Sequence, residues 1–231
     1  MTIISGSAHS GKGQSGAFDR PEGAPGKGEA LIIFAALPKP GAVKKRLARE
    51  IGEQPAAALY NELALHTFRT GQQALERGWT VYLFHDPKVK EEEVRGWVRR
   101  DFHFAAERGE NPGARIHHAF DYAFHHRASK AVVISSDIPG MGYDVIEEAS
   151  SRLEKNDVVI GPARDGGCYL IGMKPPTKGF FRELPWGTAR VFREASARVH
   201  NLGLTQSTLA QLGDVDTAAT YRDYLLRKAN T

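Results

Sequence analysis

The chain of 231 residues has one cysteine, Cys168. A disulfide within the chain is therefore excluded, and so is a zinc site built on several thiolates. Cys168 sits inside an apolar strand pattern and reads as a small packed side chain rather than a nucleophile. No apolar run approaches the roughly 18 residues of a membrane span, and the amino terminus lacks the apolar segment of a secretory signal. These absences predict a soluble, cytoplasmic protein with no membrane partner. Charge is also muted: 31 Lys and Arg stand against 27 Asp and Glu, a net of +4. The densest basic stretch of the front half, Lys39 to Arg49, follows one strand instead of forming a long stripe. A phosphate-bearing small molecule is thus the expected partner, and nucleic acid is not.

Residues 1–29 carry seven glycines and show neither helical nor strand periodicity, so they read as a flexible tail before one domain over residues 30–231. Within them, Gly6 to Gly13 approaches a phosphate-binding loop. Gly13 stands where that loop needs a Ser or Thr, and helix breakers follow where it needs a helix, so the loop is not expected to cradle a phosphate.

From Leu31 the pattern changes. Leu31 to Ala36, Val81 to Phe84, Ala131 to Ile134, Asp157 to Ile160 and Cys168 to Gly172 are short apolar runs, the signature of strands buried on both faces. Helices are predicted between and after them, over residues 55–76, 91–100, 144–155, 188–199 and 217–227. Another helix is marked by Ile116, Ala119, Phe120, Ala123 and Phe124, which form one apolar stripe. His117, His118, His125 and His126 lie off that stripe, so no histidine metal cluster is expected. Residues 101–113 read as irregular, and residues 204–209 as a final strand. This alternation predicts an α/β domain with a mainly parallel sheet covered by helices on both faces.

Ligands of such sheets sit beyond the carboxyl ends of the strands, and four loops there carry chemistry. The first, after Leu31 to Ala36, contains Gly41, Lys44 and Arg46 at the start of a basic helix. Lysine there opposes the helix dipole unless an anion lies among the basic groups, which a phosphate would supply; the alternative is a solvated patch. The second contains Asp137, which is placed to project into an open crevice and hold a hard divalent cation such as Mg²⁺ or Mn²⁺, or else to cap a turn. In the third, Asp165, Gly166 and Gly167 form either a ligand-approaching loop or an Asp-Gly hairpin, and the two readings are compatible. Asp214 to Thr217 is the fourth, where Asp216 or Thr217 caps the last helix and the remaining aspartate is available to a metal.

In this order, Gly41 with Lys44 to Leu47, Ser136 to Pro139, Gly161 to Gly172, Pro185 to Thr188 and Asp214 to Thr217 resemble bacterial glycosyltransferase-like proteins named for arsenosugar biosynthesis. They are also similar to nucleotidyltransferases of molybdenum- and deazaflavin-cofactor assembly. The chain departs from that pattern where Gly109 to Arg115 replaces an acidic segment. The resemblance implies a GT-A, Rossmann-like domain of the nucleotide-diphospho-sugar transferase type. It further implies Asp137 as metal ligand and a nucleotide in the first half of the sheet. The resulting expectation is sugar transfer from a nucleotide diphosphate donor to a small acceptor. Asp137 and Asp216 are assigned to the metal; Gly41, Lys44, Arg46, Gly166 and Gly167 to the nucleotide and its phosphates; and Asp165 to catalysis. Trp186 is either the floor of an acceptor pocket or a core residue. Nucleotidyl transfer from an NTP and non-catalytic nucleotide binding are the alternatives.

Overall fold

The computed structural model describes residues 28–175 and 179–229. Residues 1–27 of the expected tail, with the phosphate-loop-like stretch of residues 6–13, lie outside them. The first strand takes in two residues that were expected to belong to the tail. Gly28 and Glu29 already belong to the first strand, and Glu29 is pinned by Lys130 at 3.0 Å and by the Ser150 hydroxyl.

In chain order the elements are β1 (Gly28–Phe34), α1 (Lys45–Ile51), α2 (Glu53–Glu76), β2 (Thr80–His85), α3 (Glu91–Val98), β3 (His103–Ala106) and α4 (Pro112–His125). They continue with β4 (Ala128–Ser135), α5 (Tyr143–Leu153), β5 (Val158–Pro162), β6 (Cys168–Met173), α6 (Val191–Asn201), β7 (Gln206–Thr208) and α7 (Ala218–Ala229). The seven strands form one sheet in the order β3-β2-β1-β4-β6-β5-β7. All neighbours are parallel except β6, which runs antiparallel to both β4 and β5.

Alternation along β1 assigns its side chains to the two layers. Leu31 and Ile33 enter the core shared with α2, α3 and α5, whereas Ile32 and Phe34 enter the core shared with α4 and α6. Both layers are closed by fully buried aromatic residues, Phe68 on one side and Phe120 on the other. The expected stripe on α4 faces inward, with Ile116, Ala119, Phe120 and Ala123 buried.

Residues 101–113, expected to be irregular, contain β3. It is an edge strand that pairs only with β2 and is half-exposed along its length, so it needs no continuous apolar run and left none to read. The helix expected from residue 188 begins at Val191, because Thr188 is held in a turn by donating its hydroxyl to the Pro185 carbonyl. Among the described residues, no helix is long and apolar enough to cross a membrane.

Candidate active site

The carboxyl ends of β1, β2, β3, β4 and β5 lie along one edge of the sheet, and the first and second marked loops meet there. Lys44 closes the loop after β1 as the cap of α1, in a left-handed conformation with φ 46°. Its ammonium lies 2.8 Å from Asp137 Oδ2, at the end of β4, and 3.0 Å from Asp216 Oδ1, before α7. Two carboxylates about a third of the chain apart thus converge on one cationic point.

The surroundings fix this convergence. Ser135 donates its hydroxyl to Asp137. Ser136 is hydrogen-bonded to the Tyr60 hydroxyl of α2 at 2.9 Å, and Tyr60 in turn accepts from the Ala36 backbone N–H at 2.9 Å, tying the loops after β1 and β4 together. Thr217 caps α7, accepting from the Thr220 N–H at 3.2 Å, which leaves the Asp216 carboxylate to Lys44. Of the two N-cap candidates, Thr217 is therefore the cap.

Asp137 is buried, not open to a crevice as expected, because Lys44 and Ser135 enclose it. Burial alone would raise its pKa, but attraction to Lys44 and hydrogen bonds from Lys44 and Ser135 outweigh that and hold the carboxyl below its usual range. For Asp216 burial prevails: despite Lys44, its carboxyl is pushed up, with Asp137 adding to the rise. Burial also disfavours the Lys44 ammonium, yet the two carboxylates keep it protonated well above the ordinary lysine range. The anion demanded by a lysine at a helix start is supplied here by the chain's own aspartates.

The other predicted residues are placed around this cluster or beside it. Arg46, in the first turn of α1, is exposed. Gly41 turns the loop with φ 74°, close enough to Glu53 that a Cβ would lie 3.1 Å from its carboxylate oxygens. The third loop is a hairpin between β5 and β6: Ala163 donates to the Gly167 carbonyl at 2.9 Å, and the Gly167 N–H is bound by the Asp165 carboxylate at 2.8 Å. Asp165 is exposed at its tip. The close approach permitted by Gly166, at φ 85°, is made by the protein itself, since a Cβ there would lie 2.1 Å from the Ala189 carbonyl oxygen. Trp186 is part-buried and lines a cavity of about 630 Å³ beside the start of α4.

One group at this edge was not singled out from the sequence. Glu107 follows β3, and burial pushes its carboxyl up to about 7 against the pull of Arg115, 3.2 Å away. Its signal was the pairing of Glu107 with Arg115 across a glycine-bearing turn.

Two carboxylates on one cation are a donor set that suits Mg²⁺ or Mn²⁺, which need only one or two protein carboxylates beside substrate phosphates. Among the described residues, no group of three or more His, Cys, Asp or Glu could hold a metal, so protein ligation would rest on Asp137 and Asp216.

A family model described as an uncharacterized protein conserved in bacteria, DUF2064, matches residues 68–188. The chain belongs to this family. A solved structure from Desulfovibrio desulfuricans, provisionally named a nucleotide-diphospho-sugar transferase, is similar to this DUF2064 chain at 30% identity and a TM-score of 0.74, covering 82% of each chain. CMP:2-keto-3-deoxy-manno-octonic acid synthetase complexed with CTP shares the fold at 13% identity and a TM-score of 0.55, over 88% of this chain and 99% of the other. So does Mycobacterium tuberculosis Rv0371C in complex with manganese, at 18% identity and a TM-score of 0.52, over 87% and 99%. No curated protein matches the chain. The matches place the chain among transferase enzymes of the nucleotide-diphospho-sugar transferase type and carry nothing specific to arsenosugars.

Proposed function

We propose that the chain transfers a sugar from a nucleotide diphosphate donor to a small acceptor, with Mg²⁺ or Mn²⁺ as cofactor. The observation that carries this reading is the convergence of Asp137 and Asp216 on one cationic point at the carboxyl edge of the sheet. A divalent ion held by these two carboxylates would neutralise the charge of the departing diphosphate. Lys44 then yields one or both carboxylates and turns its ammonium to the phosphates, and Arg46 supplies a second cation from the surface of α1. Gly41, Gly166 and Gly167 shape the loops that face the nucleotide. Asp165 is the candidate proton acceptor for the attacking hydroxyl, because its exposed hairpin tip lies at the same edge.

Thermal shift with NDP-sugars and NTPs, each with and without Mn²⁺, tests the reading. A ligand at 100 times its Kd should add about 2.7 kcal/mol of stability. Asp216→Asn is expected to remove the Mn²⁺-dependent part of that gain, and persistence of the metal response in this variant would exclude the site. Arg46→Ala is expected to weaken nucleoside diphosphate binding about tenfold while leaving the bare nucleoside unaffected. Equal losses for both ligands, measured by calorimetry, would count against a phosphate contact.

Nucleotidyl transfer is the second reading, favoured by the fold shared with the CTP-bound synthetase. It would employ the same carboxylates, and products separate the two: free NDP from an NDP-sugar supports sugar transfer, and pyrophosphate from an NTP supports nucleotidyl transfer.

A further inference from the structure

We infer that the cavity beside Trp186 is the acceptor site and that it takes a neutral, hydroxylated ring compound of the sugar class; this rests on the proposed sugar transfer. The cavity, about 630 Å³, lies between the first turns of α4 and the loop that precedes α6. This volume is within the usual range of small-ligand pockets.

Its walls are of two kinds. Trp186, Phe181, Pro112 and Pro185 supply flat apolar surfaces, against which the C–H face of a pyranose or furanose ring packs. Asn111, His117, Arg182 and Glu183 supply hydrogen-bonding groups. Asn111 accepts from the Ala114 N–H through its carbonyl oxygen, so its amide N–H groups are the part directed elsewhere. Arg182 and Glu183 are both exposed and of opposite charge, so the lining carries no net charge from them. Such a lining favours a ligand whose groups donate and accept in turn, as hydroxyls do, over a phosphate, which only accepts.

The cavity is also placed where an acceptor belongs. Phe181, Leu184 and Trp186 pack in the layer of α4 and α6, whereas Lys44 begins α1, whose Leu47 packs with α2 and Val215 on the other side of the sheet. Donor and acceptor would thus approach the strand ends from opposite layers. The Asp165 hairpin is anchored to the segment that follows the cavity loop: Gly166 abuts Ala189 and accepts a hydrogen bond from the Phe192 N–H at 3.0 Å. Gly113 lets the indole sit directly on α4, since a Cβ there would lie 2.4 Å from Trp186 Nε1.

Saturation-transfer NMR tests this with methyl glycosides of glucose, mannose and N-acetylglucosamine as probes, and with uridine and inorganic phosphate as competitors. Ring protons of at least one glycoside are expected to receive saturation from the wild-type chain. Trp186→Ala should weaken that binding about tenfold or more, while Trp186→Phe retains most of it. Arg182→Ala changes an exposed side chain and should weaken it without disturbing the fold. The assignment is overturned if no glycoside receives saturation, if transfer is undiminished in both alanine variants, or if uridine or phosphate displaces the glycoside in preference. Nucleotide stabilisation with Mn²⁺ is measured in the same samples. Its loss while glycoside binding persists would overturn the donor chemistry and leave this pocket standing.

Discussion

Lys44→Met is expected to lower the unfolding free energy by about 3 to 5 kcal/mol at neutral pH, because it strips a buried charge cluster of the Lys44 ammonium and leaves two carboxylates facing one another. The sign of its pH dependence follows from the same geometry. In the wild type Asp137 is held below its usual pKa, so its share of the stability is present above about pH 4 and is lost as the pH falls through the lowered value. Without the ammonium, burial and mutual repulsion raise both carboxyls above their unfolded values. The folded variant then binds protons more tightly than the unfolded chain. Its deficit therefore grows as pH rises through the raised pKa and shrinks on acidification. Urea unfolding of both proteins at pH 5 and pH 7.5 measures this. A deficit under about 1 kcal/mol at pH 7.5 would show that the ion cluster does not form in solution.

A second large effect is expected at Gly166. Alanine there meets two independent obstacles: a backbone at φ 85°, and the Ala189 carbonyl oxygen 2.1 Å from the new Cβ. The left-handed conformation costs an L-residue about 1 to 2 kcal/mol, and relieving a clash with backbone adds about 1 to 3 kcal/mol. For a chain of this size the combined loss corresponds to a fall in melting temperature of about 5 to 15 °C. Gly140 supplies the control, with φ 80° but nothing within 4 Å of the added carbon, so Gly140→Ala should show the backbone cost alone. Calorimetry of the pair decides the matter. Equal melting temperatures would mean that the hairpin and the loop before α6 are not in contact, and the link between Asp165 and the Trp186 cavity would go with them.

The central strands were legible because each is buried on both faces and so must be apolar throughout: Leu31 to Phe34 and Ala131 to Ile134 announce themselves. The edge strand β3 was not, since half-exposed positions admit His103 and Ala106 without a pattern. The loop chemistry was legible as residue type and position after a strand, which marked Lys44, Asp137 and Asp216. Their mutual arrangement was not. Lys44, Lys45 and Arg46 read as one basic patch, yet Lys44 is buried while its two neighbours are exposed. The left-handed backbone at Lys44 makes that difference by turning its side chain away from the surface of α1, and no local pattern encodes it. Likewise, the paired glycines Gly166 and Gly167 read as a place of close approach to a ligand, whereas at Gly166 the approach is made by the Ala189 carbonyl, a partner outside any local window.

The contact between Lys44 and Asp216 has a consequence for how the protein is made. It joins residues 172 positions apart, while Asp137 is synthesised well before Asp216. During translation, β1 to β4 emerge with Lys44 and Asp137 able to pair, and the cluster stays one carboxylate short until Asp216, just ahead of the last helix, has followed. Synthesis runs from the amino terminus, so the residues of all seven strands are made before Asp216. The ion cluster around Lys44 is thus completed late in synthesis, and a polypeptide stopped just before Asp216 would contain all seven strands while lacking one of the cluster's two carboxylates.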